Sequence, residues 1–303
     1  MMRDFVYHHA TSLDEARRLA CERGAMLLAG GQALLRDIKR GRPAPTSLVD
    51  ITGIVPKQIE LRDGAVFIGA GATHAEVAAS AALREHFPVL AALVDHIGDP
   101  AVRNRGTLGG ALAANEPAGD YPAACLALDA TVHTTTRTVA AAEFFVDGRT
   151  VLAPGEIITA ATFPVCRRAA FIKFLNPASR YAMVGVFAAC AADGHPAIAV
   201  TGTRRHGAFR WREAEAALSD AFAAERLRDL RLSSNDLAED LFADAAYRGH
   251  LAAVLARRAV ALAGGSGVLV LSHGAQIADQ ARMTRAARRA HDWRITVVLP
   301  VES

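Results

Sequence analysis

Two pairs of adjacent glycines, Gly30-Gly31 and Gly109-Gly110, constrain the fold of this chain more than any other feature. The first follows the apolar run Met26-Leu27-Leu28-Ala29 and precedes Gln32-Ala33-Leu34-Leu35-Arg36-Asp37-Ile38, which has helical character, so the segment reads strand, glycine turn, helix. Upstream, Thr11-Ser12 followed by Glu15 resembles a capping box, and Leu13, Ala16, Leu19 and Ala20 keep helical spacing, which predicts a helix over 12–23. Residues 47–51 read as another strand, and Gly53 and Pro56 close a compact α/β unit over 1–55.

A second segment, 56–165, opens with a hairpin: Ile59-Glu60-Leu61, the turn Asp63-Gly64, then Val66-Phe67-Ile68. Helices are expected at 74–82, with Thr73 as N-cap, at 88–96, and after the second glycine pair through Leu128; short strands are expected near 131–138 and 157–163. A third segment, 170–263, shows strand candidates at 181–191 and 197–203 and amphipathic helices at 213–224 and 244–262, an α+β layer. Gly264-Gly265-Ser266-Gly267 reads as a linker to a tail, 264–303, formed by the short apolar run 268–271, a basic helix at 278–291 and Ile295 to Leu299.

Length and composition then exclude several classes. At roughly 100–200 residues per domain, 303 residues predict about two domains, with apolar material for real cores. The longest uncharged apolar run, 182–192, falls short of the roughly 18–20 residues a membrane span requires, and no apolar signal region opens the chain, so a cytoplasmic protein is expected. Cys21, Cys125, Cys166 and Cys190 stand too far apart for a disulfide framework or an iron–sulfur motif, and are expected to be buried, reduced thiols. The 11 histidines form no HExxH or close cluster, so no metal site is expected in this chain, and a net charge of +3 gives no reason to expect nucleic acid as a partner.

The glycine loops carry most of the chemistry. Without side chains at Gly30 and Gly31, an anion can approach successive backbone N–H groups, as a diphosphate would; the alternative is an ordinary left-handed turn. In Thr107-Leu108-Gly109-Gly110-Ala111 a second glycine pair stands beside a hydroxyl, and two such nests in one α/β domain suggest an extended, phosphate-bearing cofactor. Asp120 could accept hydrogen bonds from cofactor hydroxyls or cap the helix before Pro122. Gly69-Ala70-Gly71-Ala72-Thr73-His74 resembles a dinucleotide fingerprint, but its last position is His and no strand ending in an acidic residue follows, so a Rossmann site is set aside. Arg103 and Arg105 either bridge loops to carboxylates or position the second nest. No nucleophile arrangement is suggested, and no catalytic residue is assigned.

Six segments together carry a family resemblance: LLAGGQALL (27–35), LVDI (48–51), IGAGATHAEVA (68–78), HIGDPAVRNRGTLGGALAANEPAGDYPA (96–123), PGEIIT (154–159) and ASRYAMVGV (178–186). In order, over about 3–263, they resemble the FAD-binding medium subunit of molybdenum hydroxylases, the xanthine dehydrogenase and aerobic carbon monoxide dehydrogenase family. The resemblance implies an α+β fold: a vanillyl-alcohol-oxidase-like (PCMH-type) FAD-binding domain of two α/β subdomains, with the flavin between them, plus a C-terminal α+β domain. By the match, the backbone of Ala29, Gly30, Gly31, Gln32 and Ala33 contacts the diphosphate, with Leu34 beside them. Thr107, Gly109, Gly110 and Ala111 form the second cradle, Asp120 lies near the ribityl or ribose hydroxyls, Ile97 packs on the cofactor, Ile158 approaches the ring system, Lys173 lies near its polar edge and Tyr181 faces it. The family usually carries a polar residue after the second glycine pair and a His three positions later; here those are Ala111 and Ala114, and Asn115 is expected to supply the missing hydrogen bond.

The function implied is an FAD-binding electron-transfer subunit. It would take electrons from [2Fe–2S] clusters of a small partner subunit, fed by a large molybdopterin-binding partner, and pass them to an external acceptor, in a dimer of heterotrimers. The alternatives are a free-standing FAD oxidoreductase and a cofactor-free scaffold or regulatory paralogue, the latter motivated by Ala111 and Ala114. In the tail, Arg282, Arg285, Arg288 and Arg289 share one helical face, either solvated or docked on an acidic partner.

Overall fold

The computed structural model describes residues 4–263 apart from 167 and 177, together with the backbone of 267–271. The first 50 residues build a parallel sheet from β1 (Val6–His9), β2 (Ala25–Leu28) and β3 (Ser47–Asp50), in the order β1-β3-β2. α1 (Leu13–Ala20) and α2 (Leu34–Lys39) make the crossovers. The capping at α1 is shared between neighbours: Ser12 Oγ accepts from the Glu15 amide, while the Glu15 carboxylate accepts from the amide and hydroxyl of Thr11. α1 ends three residues before the expected boundary, and Cys21, its C-cap, is exposed.

The second sheet is antiparallel, in the order β4-β5-β10-β6-β7. β4 (Ile59–Arg62) and β5 (Ala65–Gly69) are joined by Asp63 and Gly64, both at positive φ (48° and 75°), the backbone that an Asp-Gly turn adopts readily. The expected helix at 74–82 is two: α3 (His74–Ala79) stops at Ser80, whose hydroxyl caps α4 (Ala81–His86) by accepting from the Leu83 amide. There follow α5 (Pro88–Asp95), α6 (Pro100–Arg103), α7 (Leu108–Ala114) and α8 (Asp120–Ala127). The strand expected over 131–138 is a hairpin of β6 (Thr131–Thr134) and β7 (Thr138–Ala140). α9 (Ala141–Phe144) and the two-stranded ribbon of β8 (Phe145–Val146) and β9 (Arg149–Thr150) lead to β10 (Ile158–Pro164).

The third sheet runs β14-β13-β12-β11-β15. β12 (Ala182–Cys190) and β13 (Pro196–Thr201) lie where the sequence predicts strands, whereas β11 (Arg168–Leu175) is an addition. Both faces of this sheet are covered: Phe171, Phe187 and Ala199 join the large core shared with the first two sheets, and Ile172, Val186, Ile198 and Val200 pack in a second core with α11 (Ala245–Leu262). A strand buried on both sides loses the polar alternation by which a strand is read, which is why β11 escaped notice. β14 (Phe209–Arg210) and α10 (Arg212–Ala217) complete the layer; the helix predicted to 224 stops at Ala217 and resumes as a single 3₁₀ turn, Ala224–Leu227. β15 (Gly267–Leu271) pairs in parallel with β11, so the run read as the start of a tail, Gly267 included, extends the sheet. The predicted basic helix, with Arg282, Arg285, Arg288 and Arg289, and the segment 295–299 lie outside the described residues.

All four cysteines are free, but only Cys125 is fully buried. No helix among the described residues is long and apolar enough to cross a membrane.

Glu156 holds the turn of the β6–β7 hairpin against the strand that follows. Its side chain is 1% exposed and accepts from Arg137, from the hydroxyls of Thr134 and Thr136 and from the Ala153 amide, an arrangement that sets Ile157 and Ile158 in place. The Arg137 hydrogen bond, opposed by burial and aided by the other donors, holds the carboxyl at about 2 against an ordinary 4.5. A depressed pKa contributes stability that is complete above the ordinary value and fades as pH falls from 4.5 toward about 2. Glu156→Gln is therefore expected to cost about 1–3 kcal/mol at pH 7, Arg137 being half-exposed, with the gap to wild type narrowing steadily below pH 4.5. Urea midpoints of both proteins at pH 7 and pH 3 measure it, and a gap independent of pH would refute the assignment.

Candidate functional site

A cleft of about 750 Å³, within the range of small-molecule and cofactor sites, runs between the parallel sheet and the rest of the chain. One wall comes from residues 26–55, the other from the loops before α3, α7 and α8, from β10 and β11, and from residues 179–181 just before β12. Both glycine pairs line it.

Sterics determine the position of the first loop. A Cβ on Gly30 would stand 1.9 Å from the Arg105 carbonyl oxygen, so only glycine lets the two loops touch backbone to backbone, and Gly31 adopts φ +74°. Among the described residues, the amides of Gly30, Gly31, Gln32 and Ala33 donate no hydrogen bond, which leaves consecutive N–H groups free beside the cleft.

The second loop differs from the nest that its sequence suggests. Leu108 N–H donates to Ala72 O (3.0 Å), Gly109 N–H to Ala70 O (2.8 Å), Gly110 N–H to Thr107 Oγ1 (3.1 Å) and Ala111 N–H to Thr107 O (3.0 Å). The amides are already engaged by the loop before α3 and by the Thr107 cap. Thr107, lining the cleft, retains its own N–H and its hydroxyl proton, while Gly109 and Gly110 contribute a floor without side chains. A Cβ on Gly109 would meet that of Ala70 at 2.7 Å. The fingerprint-like Gly69 and Gly71 have a packing role: each presses on the backbone of 55–57, where a Cβ would come within 2.4 Å of Pro56 O or 2.7 Å of Val55 O.

Ala29, Leu34, Ile97, Ala111 and Ile158 line the cleft as well, with Asp120 and Lys173. Alternate residues of a strand share a face, so Lys173 leaves β11 on the side of Phe171, toward α8. Its ammonium donates to Asp120 Oδ2 at 2.6 Å and approaches His96 O at 3.4 Å, and both side chains of the pair are 3% exposed. Burial pushes the Asp120 carboxyl up, and Lys173 opposes it; Oδ1 has no donor among the described residues. Asp120 is the first residue of α8, whose N-cap is Gly119, so the capping alternative is not realised.

Asn115 requires correction. It is the left-handed C-cap of α7, at φ 41°, and its buried amide side chain faces Gly207 rather than the cleft. Ending the helix took the side chain out of reach of the site. Arg103 closes its own loop, donating to Gly98 O at 3.0 Å with Asp95 at 3.6 Å, whereas Arg105 acts through its backbone against Gly30. Tyr181 lines the cleft, is 41% exposed and accepts a hydrogen bond from Arg36 (3.0 Å).

Two lining residues escaped sequence reasoning. His74 is buried against Gly106 and the Tyr121 ring, 5.5 Å between centroids; burial, with Arg103 nearby, lowers its pKa to about 4, so the imidazole is neutral. Its Nδ1 and the Tyr121 hydroxyl have no partner among the described residues. The one available signal was that each adjoins a residue already singled out, Thr73 and Asp120.

Residues 3–166 match the family described as the FAD binding domain in molybdopterin dehydrogenase. The chain is 31% identical, over 275 residues, to the carbon monoxide dehydrogenase medium chain of Hydrogenophaga pseudoflava, covering 84% of this chain and 96% of that one. It is 36% identical over 166 residues to the nicotine 6-hydroxylase medium subunit of Paenarthrobacter nicotinovorans, a stretch of 52% of this chain that spans only 58% of that relative. Among solved structures, carbon monoxide dehydrogenase from H. pseudoflava, in a form lacking the Mo-pyranopterin moiety, superposes with a TM-score of 0.79 at 31% identity over 88% of this chain and 99% of that one. Quinoline 2-oxidoreductase from Pseudomonas putida 86 gives 0.75 at 25% identity over 88% and 99%.

Proposed function

The chain belongs to the family of FAD-binding domains in molybdopterin dehydrogenases, and from that membership we propose that its cleft binds FAD and that it serves as the electron-transfer subunit of a molybdenum-dependent hydroxylase or dehydrogenase. The observation that carries this reading is the meeting, in one cleft of about 750 Å³, of the free amides of Gly30–Ala33 with Thr107 and an apolar wall. Those features fit a dinucleotide: N–H groups and a hydroxyl for the diphosphate, and Ile97, Ile158 and Ala111 for a flat ring system. The free amides also favour a cofactor-binding chain over a cofactor-free paralogue.

In this reading the backbone of Ala29–Ala33 holds the diphosphate, Leu34 packs beside it and Thr107 donates from the opposite loop. Gly109 and Gly110 keep that approach clear. Lys173, fixed by Asp120, provides an oriented positive charge close to the ring, and the flavin itself supplies the redox chemistry. The parallel sheet (1–55) and the antiparallel sheet (56–165) are the two subdomains of a vanillyl-alcohol-oxidase-like, PCMH-type arrangement, and 170–263 is the C-terminal domain. Electrons arrive from the [2Fe–2S] clusters of a small subunit, supplied by a large molybdopterin-binding subunit, and leave to an external acceptor; the assembly is a cytoplasmic dimer of heterotrimers.

The visible spectrum tests this first. The chain purified alone is expected to show flavin bands or to acquire them with added FAD, joined by iron–sulfur absorption and molybdenum when the native complex is purified. A colourless chain that takes up no FAD would overturn the reading.

A further inference from the structure

We propose that Arg36 is a positioning residue that clasps the cleft shut and sets how long FAD stays bound, an inference that rests on the FAD reading. The parallel unit is joined to the remainder of the protein almost without polar contacts. Between residues 4–55 and the rest of the described chain, every hydrogen bond is donated by one side chain, the Arg36 guanidinium. Nη2 donates to Glu116 Oε1, in the loop between α7 and α8, and Nη1 donates to the Tyr181 hydroxyl, immediately before β12, at 3.0 Å. Nε donates to Asp37 Oδ1 at 3.1 Å, which holds the planar group in its fork. Asp37, Glu116 and Tyr181 all line the cleft, so one cation ties together three segments of its wall.

What remains across this boundary is close packing without hydrogen bonds: Val49, Ile51 and Val55 in the shared core, Gly30 against Arg105, Gly71 against Val55 O and Gly155 against Arg17 O and Cys21. Apolar packing is non-directional and tolerates small opening movements, whereas a three-way charge-assisted contact has a defined geometry that opening must break. Arg36 and Glu116 are each 29% exposed, so ions reach the contact and weaken it. The clasp therefore controls release of the cofactor more than the folding of either unit.

The test uses the full-length chain loaded with FAD, following flavin that passes an ultrafiltration membrane with time, alongside the melting temperature of the same proteins stripped of flavin. Arg36→Met is expected to release FAD about tenfold faster, with flavin-free melting close to wild type. Tyr181→Phe, which keeps the ring and loses the acceptor, is expected to have a smaller effect in the same direction, and Arg36→Lys to restore part of the retention. Added KCl should speed release from wild type and not from Arg36→Met. Release unchanged in Arg36→Met, or faster release matched by an equal fall in flavin-free melting with the salt response intact, overturns the clasp while leaving FAD binding established. A wild type that takes up no FAD overturns the cofactor reading on which the clasp rests.

Discussion

Replacing Gly30 by alanine is expected to yield a chain that purifies without FAD and is destabilised by about 3 kcal/mol, the upper part of the range for overpacking a close contact. The added methyl would stand 1.9 Å from Arg105 O, 2.7 Å from its carbonyl carbon and 2.9 Å from Gly106 Cα. All three are backbone atoms, so no side chain can swing aside and the loops themselves must separate. Arg105 is held just after α6 by the hydrogen bond its N–H donates to Val102 O, and Gly106 is pressed between Val102 and His74, so the movement falls on the loop 29–33 and disperses its free amides. Gly31→Asp isolates the second half of this effect. Its Cβ meets side chains rather than backbone, Leu35 at 2.8 Å and Leu28 at 3.4 Å, although the φ of +74° adds strain; its carboxylate adds a negative charge where the diphosphate is proposed to lie. The two variants should share the loss of flavin and differ in urea midpoint, with Gly30→Ala lower. Full flavin content in both would remove this loop from the site.

Lys173→Met is expected to cost about 3–5 kcal/mol, because it leaves the Asp120 carboxylate buried with no cation beside it. The pair is 2.6 Å apart, 97% buried on each side by side-chain exposure of 3%, and Oδ1 already has no donor among the described residues. Without the ammonium, desolvation acts unopposed and drives the Asp120 carboxyl further above its already raised value. Asp120→Asn combined with Lys173→Met removes both charges, and this double variant is expected to be more stable than Lys173→Met alone. Urea unfolding of the four flavin-free proteins gives the coupling directly, and additive single effects would mean that the two groups do not sense each other. The pair adds little net stability over an apolar replacement; its value is orientation, since a buried ion pair holds Lys173 at one point of the cleft wall.

Local features were read well from the sequence because their causes are local. Gly31, Asp63 and Gly64 take left-handed backbone that few other residues adopt, and Ser12 and Thr73 cap helices whose first turns lie within three residues of them. The cleft-lining positions of Ala29 to Leu34, Ile97, Thr107, Gly109 to Ala111, Asp120 and Ile158 fall in the motifs that carry the family resemblance, while Lys173 lies outside those motifs and was implied by the resemblance alone.

Whatever depended on a distant partner was decided by the tertiary structure. The amides of Leu108 and Gly109 are taken by Ala72 and Ala70, so a loop that looks like a nest has spent part of its donors elsewhere. Asn115 turned away because ending α7 required a left-handed residue there. Asp120 found its cation 53 residues on, β11 found a parallel neighbour in β15 beyond a glycine-rich stretch, and Arg36 reached across 80 and 145 residues to Glu116 and Tyr181. Residue spacing encodes helix period, strand alternation and turn sterics, all properties of a few consecutive residues. Which buried donor meets which acceptor is set by how the three sheets pack, and burial then requires that each such group be satisfied by whatever the packing brings near.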